Sequence, residues 1–309
     1  EDPRRQRQMC IRDRLYTYSN HVHLSTDEGH SWETISPDLT RNDKSKLVSS
    51  GGPITQDNTG VEYYATIFAV DESTLQEGLI WVGSDDGLIH LTKDGGATWE
   101  NVTPKKMPDW MMINSIDASS FDSGTAYIAG TRYKLGDFTP YLYVTDDYGK
   151  NWKLITDGIK DEHFTRVLRS DKVNKNILYA GTETGMYISY DRGNSWNEFQ
   201  KNLPIVPITD LTIKDNSLIV ATQGRSIWMI DDLTVFHQLT PSTDQIKLYK
   251  PKDSYRMGGA GGRKSLTAGT NLPNGAIIHY FIPNYVKEND QVSLSIHSAD
   301  GTLIKEFSD

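Results

Sequence analysis

One eight-residue phrase occurs four times in this chain of 309 residues and constrains its fold more than any other feature. The pattern is Ser/Thr-x-Asp-x-Gly-x-Ser/Thr/Asn-Trp, and chance would give a match at one position less than about once in ten thousand. The copies are STDEGHSW at 25–32, TKDGGATW at 92–99, TDDYGKNW at 145–152 and SYDRGNSW at 189–196. Such recurrence indicates one supersecondary unit that is used several times.

Each copy lies among short runs rich in β-branched and aromatic residues. Two runs precede the phrase, a third begins at its Trp, and a further run opens each group, which gives four strands per unit. Successive Trp residues are roughly 44 to 67 residues apart, a spacing typical of propeller blades with inserted loops. The pattern predicts an all-β chain, with an incomplete β-propeller of about five four-stranded blades followed by a partial immunoglobulin- or fibronectin-like β-sandwich.

The phrase has a structural interpretation at the turn between the third and fourth strands of a blade. The Asp carboxylate accepts backbone N–H groups of the turn, Gly supplies a positive φ, and Trp packs between neighbouring blades. A catalytic role would require the four aspartates to converge, whereas a propeller spaces them around its rim. The residues predicted to be structural are Asp27, Gly29, Trp32, Asp94, Gly96, Trp99, Asp147, Gly149, Trp152, Asp191, Gly193 and Trp196.

The chain divides into three predicted segments. Residues 1–14 are basic, contain the only cysteine, and resemble translated sequencing-adaptor read-through, so we expect a disordered, non-native leader. Residues 15–240 form the partial propeller, with three strands of a first blade at 15–35 and complete blades at about 61–104, 110–157, 163–200 and 206–238. Residues 241–309 form a Gly-rich connector and a truncated β-sandwich.

Charge and motif content exclude several classes of function. The chain has 41 acidic and 32 basic residues and a net charge of −9, which argues against a nucleic-acid partner. No run reaches the roughly 18–20 apolar residues of a membrane span. The Gly-rich YRMGGAGG at 255–262 neither follows a strand nor opens a helix, and His21 and His23 lack an evident third ligand. We therefore expect no cofactor and no metal.

A ligand is expected on the face of the propeller opposite the repeated turns. That face is formed by the interblade loops and by the turns between second and third strands, and these segments are rich in polar residues. The predicted ligand-binding residues are Asp85, Asp86, Arg132, His163, Arg166, Glu183 and Arg225. The alternative is that these loops are only solvated and that their arginines pair with carboxylates of adjacent blades. A glycosidase needs two carboxylates about 5–5.5 Å or 6.5–9.5 Å apart. The sequence offers Glu62 as a further carboxylate but assigns no such pair, so no catalytic residue is predicted.

The repeated phrase resembles the Asp-box, or bacterial neuraminidase repeat, of sialidases, xyloglucan-degrading propeller hydrolases and sortilin-type sorting receptors. Longer strings are similar to the C-terminal part of a family of large secreted bacterial double-propeller proteins, called sortilin-like or glycosyl hydrolase. These strings include WETISPDLTRND at 32–43, LYAGTETGMYISYDRGNSW at 178–196 and ATQGRSIWMIDDL at 221–233.

The resemblance implies a secreted or periplasmic protein, with a protein or glycan ligand on the polar face and further N-terminal blades of the same polypeptide as partners. The Arg-Ile-Pro-like motif of sialidases is absent from this sequence. We expect a non-catalytic binding module, with a glycoside hydrolase as the alternative. Pairing of the face carboxylates with Arg or Lys would favour the binding module.

Overall fold

The short apolar runs form antiparallel strands in the computed structural model, which describes residues 14–49, 51–52, 54, 56, 64–239, 244–254, 275–284 and 290–308. The described residues fall into two units, the first ending at Leu233 and the second beginning at Thr234. Regular structure is almost entirely β, as predicted. The predicted leader lies outside the described residues except for its last residue, and the predicted boundary at 240 lies outside them as well. Most of the predicted Gly-rich connector also lies outside them. The domain limits therefore stay a prediction.

The first unit consists of sheets whose strands are adjacent in chain order, and we call these sheets blades 1 to 5. Blade 1 contains β1 (Leu15–Tyr18), β2 (Val22–Ser25) and β3 (Glu33–Thr34). Blade 2 contains β4 (Ile67–Glu72), β5 (Ile80–Ser84), β6 (Ile89–Thr92) and β7 (Glu100–Asn101). Blade 3 contains β8 (Met112–Ala118), β9 (Ala126–Arg132), β10 (Asp137–Thr145) and β11 (Lys153–Leu154). Blade 4 contains β12 (Thr165–Ser170), β13 (Leu178–Thr182), β14 (Met186–Ser189) and β15 (Asn197–Glu198).

The sequence predicts a complete four-stranded blade at about 206–238, but blade 5 has only three strands. It contains β16 (Ile208–Lys214), β17 (Ser217–Thr222) and β18 (Ile227–Ile230). The chain then forms the short helix α1 (Thr234–Gln238) where the outer strand was expected. The repeated turn is degenerate here, because its Gly and Trp are absent after Asp231, so nothing directs the chain back along β18.

The second unit contains two two-stranded sheets in its described part. The strands β19 (Lys247–Leu248) and β20 (Tyr280–Phe281) form one pair, and β21 (Ser293–His297) and β22 (Leu303–Ser308) form the other. The turn at Asp300 and Gly301 joins β21 to β22, as predicted. The predicted sandwich is not confirmed. Of the described residues, no helix is long and apolar enough to cross a membrane.

Glycine sets the distance between consecutive blades. The strands β5 and β13 are buried along their whole length, because each is covered on both faces. A Cβ at Gly181 in β13 would lie 2.6 Å from Cγ2 of Ile208 in blade 5, and one at Gly83 in β5 would collide with Ile113 of blade 3. Glycine therefore lets the first strand of the next blade pack directly on the second strand of the preceding one.

The first strand of blades 2 to 5 carries a β-bulge at one equivalent position. In β4, Ile67 and Ala69 pair with the adjacent residues Ser84 and Gly83, so Phe68 is left out of the ladder. The same register shift occurs in β8, β12 and β16. The bulged residues are Phe68, Asn114, Arg166 and Thr209. Bulges re-aim side chains, and these four line one common recess.

Candidate functional site

The repeated turns carry the same hydrogen-bond network in each of blades 1 to 4. In blade 2, the Thr92 hydroxyl donates to Asp94 Oδ1 over 2.8 Å and accepts from the Gly96 N–H over 2.9 Å. The second oxygen of Asp94 accepts from the Thr98 hydroxyl over 2.6 Å. Hydrogen bonds from Thr98 and Thr92 lower the pKa of Asp94 to about 2. The carboxylate is committed within its own turn, and Asp27, Asp147 and Asp191 repeat the arrangement.

In three of the four phrases, the Trp that ends the phrase donates a hydrogen bond to the blade before it. The indole Nε1 of Trp99 donates to Ile35 O over 3.0 Å, that of Trp152 to Val102 O over 2.7 Å, and that of Trp196 to Ile155 O over 2.7 Å. Trp196 is 4% exposed. Trp32 belongs to blade 1, which has no earlier blade in the described residues, and it is 45% exposed. These contacts join blades rather than bind a ligand.

We call the opposite end of the blades the turn face, formed by the β5–β6, β9–β10, β13–β14 and β17–β18 turns and the segments that lead into the first strands. Asp86 lies beneath this face. Its side chain is buried, accepts from the Ser84 hydroxyl over 2.5 Å and accepts from the Arg41 N–H over 2.7 Å. Arg41 Nη2 continues to Asp109 over 2.8 Å. This network ties blade 1 to blades 2 and 3 and leaves Asp86 1% exposed, and a ligand contact at Asp86 stays a prediction.

Asp85 is half-buried at the edge of a narrow crevice between blades 2 and 3. One carboxylate oxygen accepts from the Thr66 N–H over 2.9 Å. Burial, reinforced by the charge of Asp86, raises the pKa of Asp85. The crevice is lined by Asp85, Tyr64, Trp110, Met112, Thr131, Arg132, Lys134 and Leu135. Asp85 and Arg132 are thus brought together, as expected for residues of one face.

The β9–β10 hairpin holds a second paired carboxylate. Arg132 Nη1 lies 2.6 Å from Asp137, which also accepts from the Tyr141 hydroxyl over 2.8 Å. Burial by itself would raise the pKa of Asp137. Hydrogen bonds from Thr139, Tyr141 and Arg132 outweigh burial and hold this pKa below its usual range. The tip of this hairpin exposes Leu135 and Phe138, which sequence reasoning did not single out.

Arg166 and Glu183 form the third pair, 2.6 Å apart. The Arg166 guanidinium lies 5.3 Å from the ring centre of Phe164 and 5.6 Å from that of Tyr133. Those two rings stack at 5.2 Å. The pair therefore rests on an aromatic layer, and the ion pair and the layer fix each other's position.

The remaining predicted residues are more dispersed. The His163 ring bonds through Nδ1 to the Tyr187 hydroxyl over 2.9 Å, and Arg225 is exposed in the β17–β18 turn. His23 bonds to Ser19 and Thr34, while His21 bonds to Ser36 O. Within the described ranges, no group of three His, Cys, Asp or Glu side chains is arranged to hold a metal ion. Glu62 lies outside the described residues.

The recess at the bulges was missed by sequence reasoning. It has a volume of about 280 Å³ and is lined by Tyr18 of blade 1 and by first-strand residues of blades 2 to 5. Of its bulged residues only Arg166 was predicted, because a bulge inverts the alternation that assigns residues to a face. The available signal was the position just before each bulge, which is occupied by Ile67, Ile113, Thr165 and Ile208.

Comparison with known proteins identifies the fold. Residues 140–255 match the family model described as sortilin, neurotensin receptor 3, so the sortilin-like resemblance is confirmed over that stretch. No curated protein matches the chain. The GH74 xyloglucanase from Xanthomonas campestris is 16% identical with a TM-score of 0.52, covering 71% of this chain and 34% of that one. This likeness shows the propeller fold alone.

Two further solved structures are similar at lower scores. An ancestral GH74 enzyme is 14% identical with a TM-score of 0.49, covering 96% of this chain and 36% of that one. YCF48 bound to a D1 peptide is 20% identical with a TM-score of 0.42, covering 53% of this chain and 51% of that one. The chain thus spans about half, or less, of the length of the solved structures that it matches.

Proposed function

We propose that this sortilin-like propeller is a non-catalytic, extracytoplasmic binding module that presents its turn face to a protein or glycan. The observation that carries the proposal is that three carboxylates on that face are each held by an arginine. Asp109, Asp137 and Glu183 each contact an arginine, and Asp86 is buried beneath the face. A carboxylate held by a guanidinium is stabilised in its charged form and is a poor proton donor.

The turn face also has the side chains that a binding surface needs. Leu135 and Phe138 are about half exposed at the tip of the β9–β10 hairpin. Behind them, Phe164 is buried and stacks on Tyr133, so the exposed groups stand on a rigid layer. Rigid apolar anchors surrounded by polar groups are typical of binding hot spots. The sortilin and GH74 likenesses support a secreted or periplasmic location, and further N-terminal blades as partners stay a prediction.

One observation favours a glycoside hydrolase as the second candidate. The pKa of Asp85 is raised by burial, which is the shift that a general acid requires. A glycosidase, however, needs a second carboxylate that is free to act as nucleophile or base. The adjacent Asp86 accepts hydrogen bonds from Ser84 and from the Arg41 N–H, and Glu183 is paired with Arg166.

Binding and hydrolysis assays on the full chain separate the two candidates. We expect Phe138→Ser to weaken binding on glycan and peptide arrays, and Phe121→Ser to leave it unchanged, because Phe121 lies in the β8–β9 loop at the opposite end of blade 3 and is similarly exposed. We expect no release of reducing ends from plant or bacterial polysaccharides. Hydrolysis that Asp85→Asn abolishes would establish the enzyme instead.

A further inference from the structure

The bulge position varies in chemistry while its surroundings repeat. The residues just before the bulges are Ile67, Ile113, Thr165 and Ile208, all essentially buried. The bulged residues themselves are an aromatic ring, an amide, a guanidinium and a hydroxyl. Packing between blades imposes similar residues on the buried position but leaves the bulged one free. The position that varies from blade to blade is thus the one that lines the recess. A ligand in the recess would contact these varied side chains.

The recess has the size of a small-ligand site. Its volume of about 280 Å³ is close to the lower end, roughly 300 Å³, of sites for small molecules. Its wall is formed by strands rather than loops, since β4, β8, β12 and β16 all contribute. A site built on strands holds its side chains in fixed positions and so needs little ordering when a ligand binds.

The charges in the recess are already neutralised. Arg166 is paired with Glu183 over 2.6 Å, and Arg169 with Asp210 over 2.9 Å. Arg169 also donates to Leu211 O over 3.0 Å. An anionic ligand would have to compete with these carboxylates for the guanidinium groups, and a cationic ligand would have to compete with the guanidinium groups for the carboxylates. The electrostatics therefore favour a neutral, hydrogen-bonding ligand.

The recess presents two exposed rings, those of Phe68 and Tyr18, and one unsatisfied acceptor on Asn114. The Phe68 ring is 47% exposed although it lies on a first strand. Asn114 Oδ1 is buried and has no hydrogen-bond partner among the described residues. An unsatisfied buried acceptor costs about 1–3 kcal/mol, which a ligand hydroxyl would relieve. An aromatic ring and an amide acceptor that line one recess match the apolar C–H face and the hydroxyl groups of a sugar ring.

We propose that the recess binds one residue of a neutral saccharide, whose ring stacks on Phe68 and whose hydroxyl groups bond to Asn114 and the Arg169–Asp210 pair. The proposal rests on the proposed binding function and makes it specific to an uncharged glycan. The Thr209 and Arg166 bulges complete the wall around the sugar.

Calorimetric titration of the full chain with defined oligosaccharides tests this inference. The probes are cellotetraose, mannotetraose and galactotetraose, with tetragalacturonate and tetraglutamate as charged counterparts. We expect one neutral probe to bind, Phe68→Ala and Asn114→Ala each to weaken it by about 10-fold or more, and Phe68→Tyr to retain affinity. Phe121→Ala is the matched control, with an exposed ring outside the recess. Thermal melts of all variants establish that each is folded.

Each outcome decides the question. Binding of a neutral probe that Phe68→Ala and Phe121→Ala affect equally would overturn the recess site while leaving the binding function in place. Failure of all three neutral probes to bind, or binding of tetraglutamate in their place, would overturn the saccharide. Cleavage of a probe would instead overturn the non-catalytic function, whether or not the recess holds the sugar.

Discussion

At the scale of residues, the chain separates groups that hold the fold from groups that are open to a ligand. In Asp94 and its counterparts, both carboxylate oxygens accept hydrogen bonds within their own turns. The buried Asp86 accepts hydrogen bonds from Arg41 and Ser84. The first set was predicted to be structural from the spacing of Asp, Gly and Trp. Burial of Asp86 could not be predicted, because it depends on Arg41 from another blade, 45 positions away.

One half-buried carboxylate makes stability depend on pH. Asp71 accepts from the Ala118 N–H over 2.7 Å at the junction of blades 2 and 3, facing Asp117, Arg169 and Lys172. Burial, with the charge of Asp117, raises its pKa to about 6, above the 3.8 of an unperturbed Asp. The folded state binds the extra proton between these values. The contribution of protonated Asp71 to the free energy of unfolding is therefore present below about pH 4 and is lost as pH rises through about 6.

We expect Asp71→Asn to remove this dependence. The amide keeps an acceptor for the Ala118 N–H and cannot ionise. The free energy of unfolding of the variant, relative to that of the unchanged protein, should therefore rise by on the order of 1–3 kcal/mol between pH 4 and pH 7. Urea unfolding at intervals across that range measures the effect. The exposed Asp157→Asn serves as control. Parallel stability curves for Asp71→Asn and the unchanged protein would show that Asp71 does not titrate in this range.

At the scale of elements, blades are joined by a few repeated contacts whose sequence signal was strong. The spacing of the phrase located the outer turn of blades 1 to 4, and the four-strand pattern of blades 2 to 4 followed from it. The sequence did not reveal that the outer strand of blade 5 gives way to α1, since the run WMIDDLTVF at 228–236 keeps the apolar residues of a strand. Nor did it reveal the bulges, because a bulge depends on pairing with the second strand.

Trp196 tests the contact between blades. Its Nε1 donates to Ile155 O of blade 3 over 2.7 Å and its ring is buried. Trp196→Phe removes the donor and leaves a buried carbonyl without its partner, which costs about 1–3 kcal/mol. Trp32→Phe makes the same change on an exposed ring and should alter stability by less than about 0.5 kcal/mol. Chemical denaturation compares the two, and equal losses would mean that the indole bond between blades is not what stabilises the junction.

At the scale of the whole molecule, the outer strand of blade 5 has four residues and is longer than the outer strands of blades 1 to 4. In the described structure, β18 pairs only with β17, and its Ile227 and Met229 are 71% and 56% exposed. The outer strands of blades 1 to 4 have only two residues each, and short edges are less able to recruit another chain. Among the outer strands of the five blades, β18 is therefore the one best able to pair with another chain.

We expect Ile227→Lys to reduce self-association at high protein concentration, because a charge on an edge strand opposes pairing with a second copy. Light scattering against concentration gives the comparison. Val173→Lys replaces an equally exposed apolar side chain in a loop of blade 4 and should have little effect. If both substitutions improved solubility equally, general surface charge rather than the β18 edge would be responsible.

The bulges have an evolutionary consequence. A residue that stands outside the strand ladder can be exchanged without breaking a backbone hydrogen bond between strands, and the indole contacts that join the blades lie at the other end of each sheet. New specificities can therefore arise one substitution at a time, at four independent places, on a framework that keeps its stability throughout.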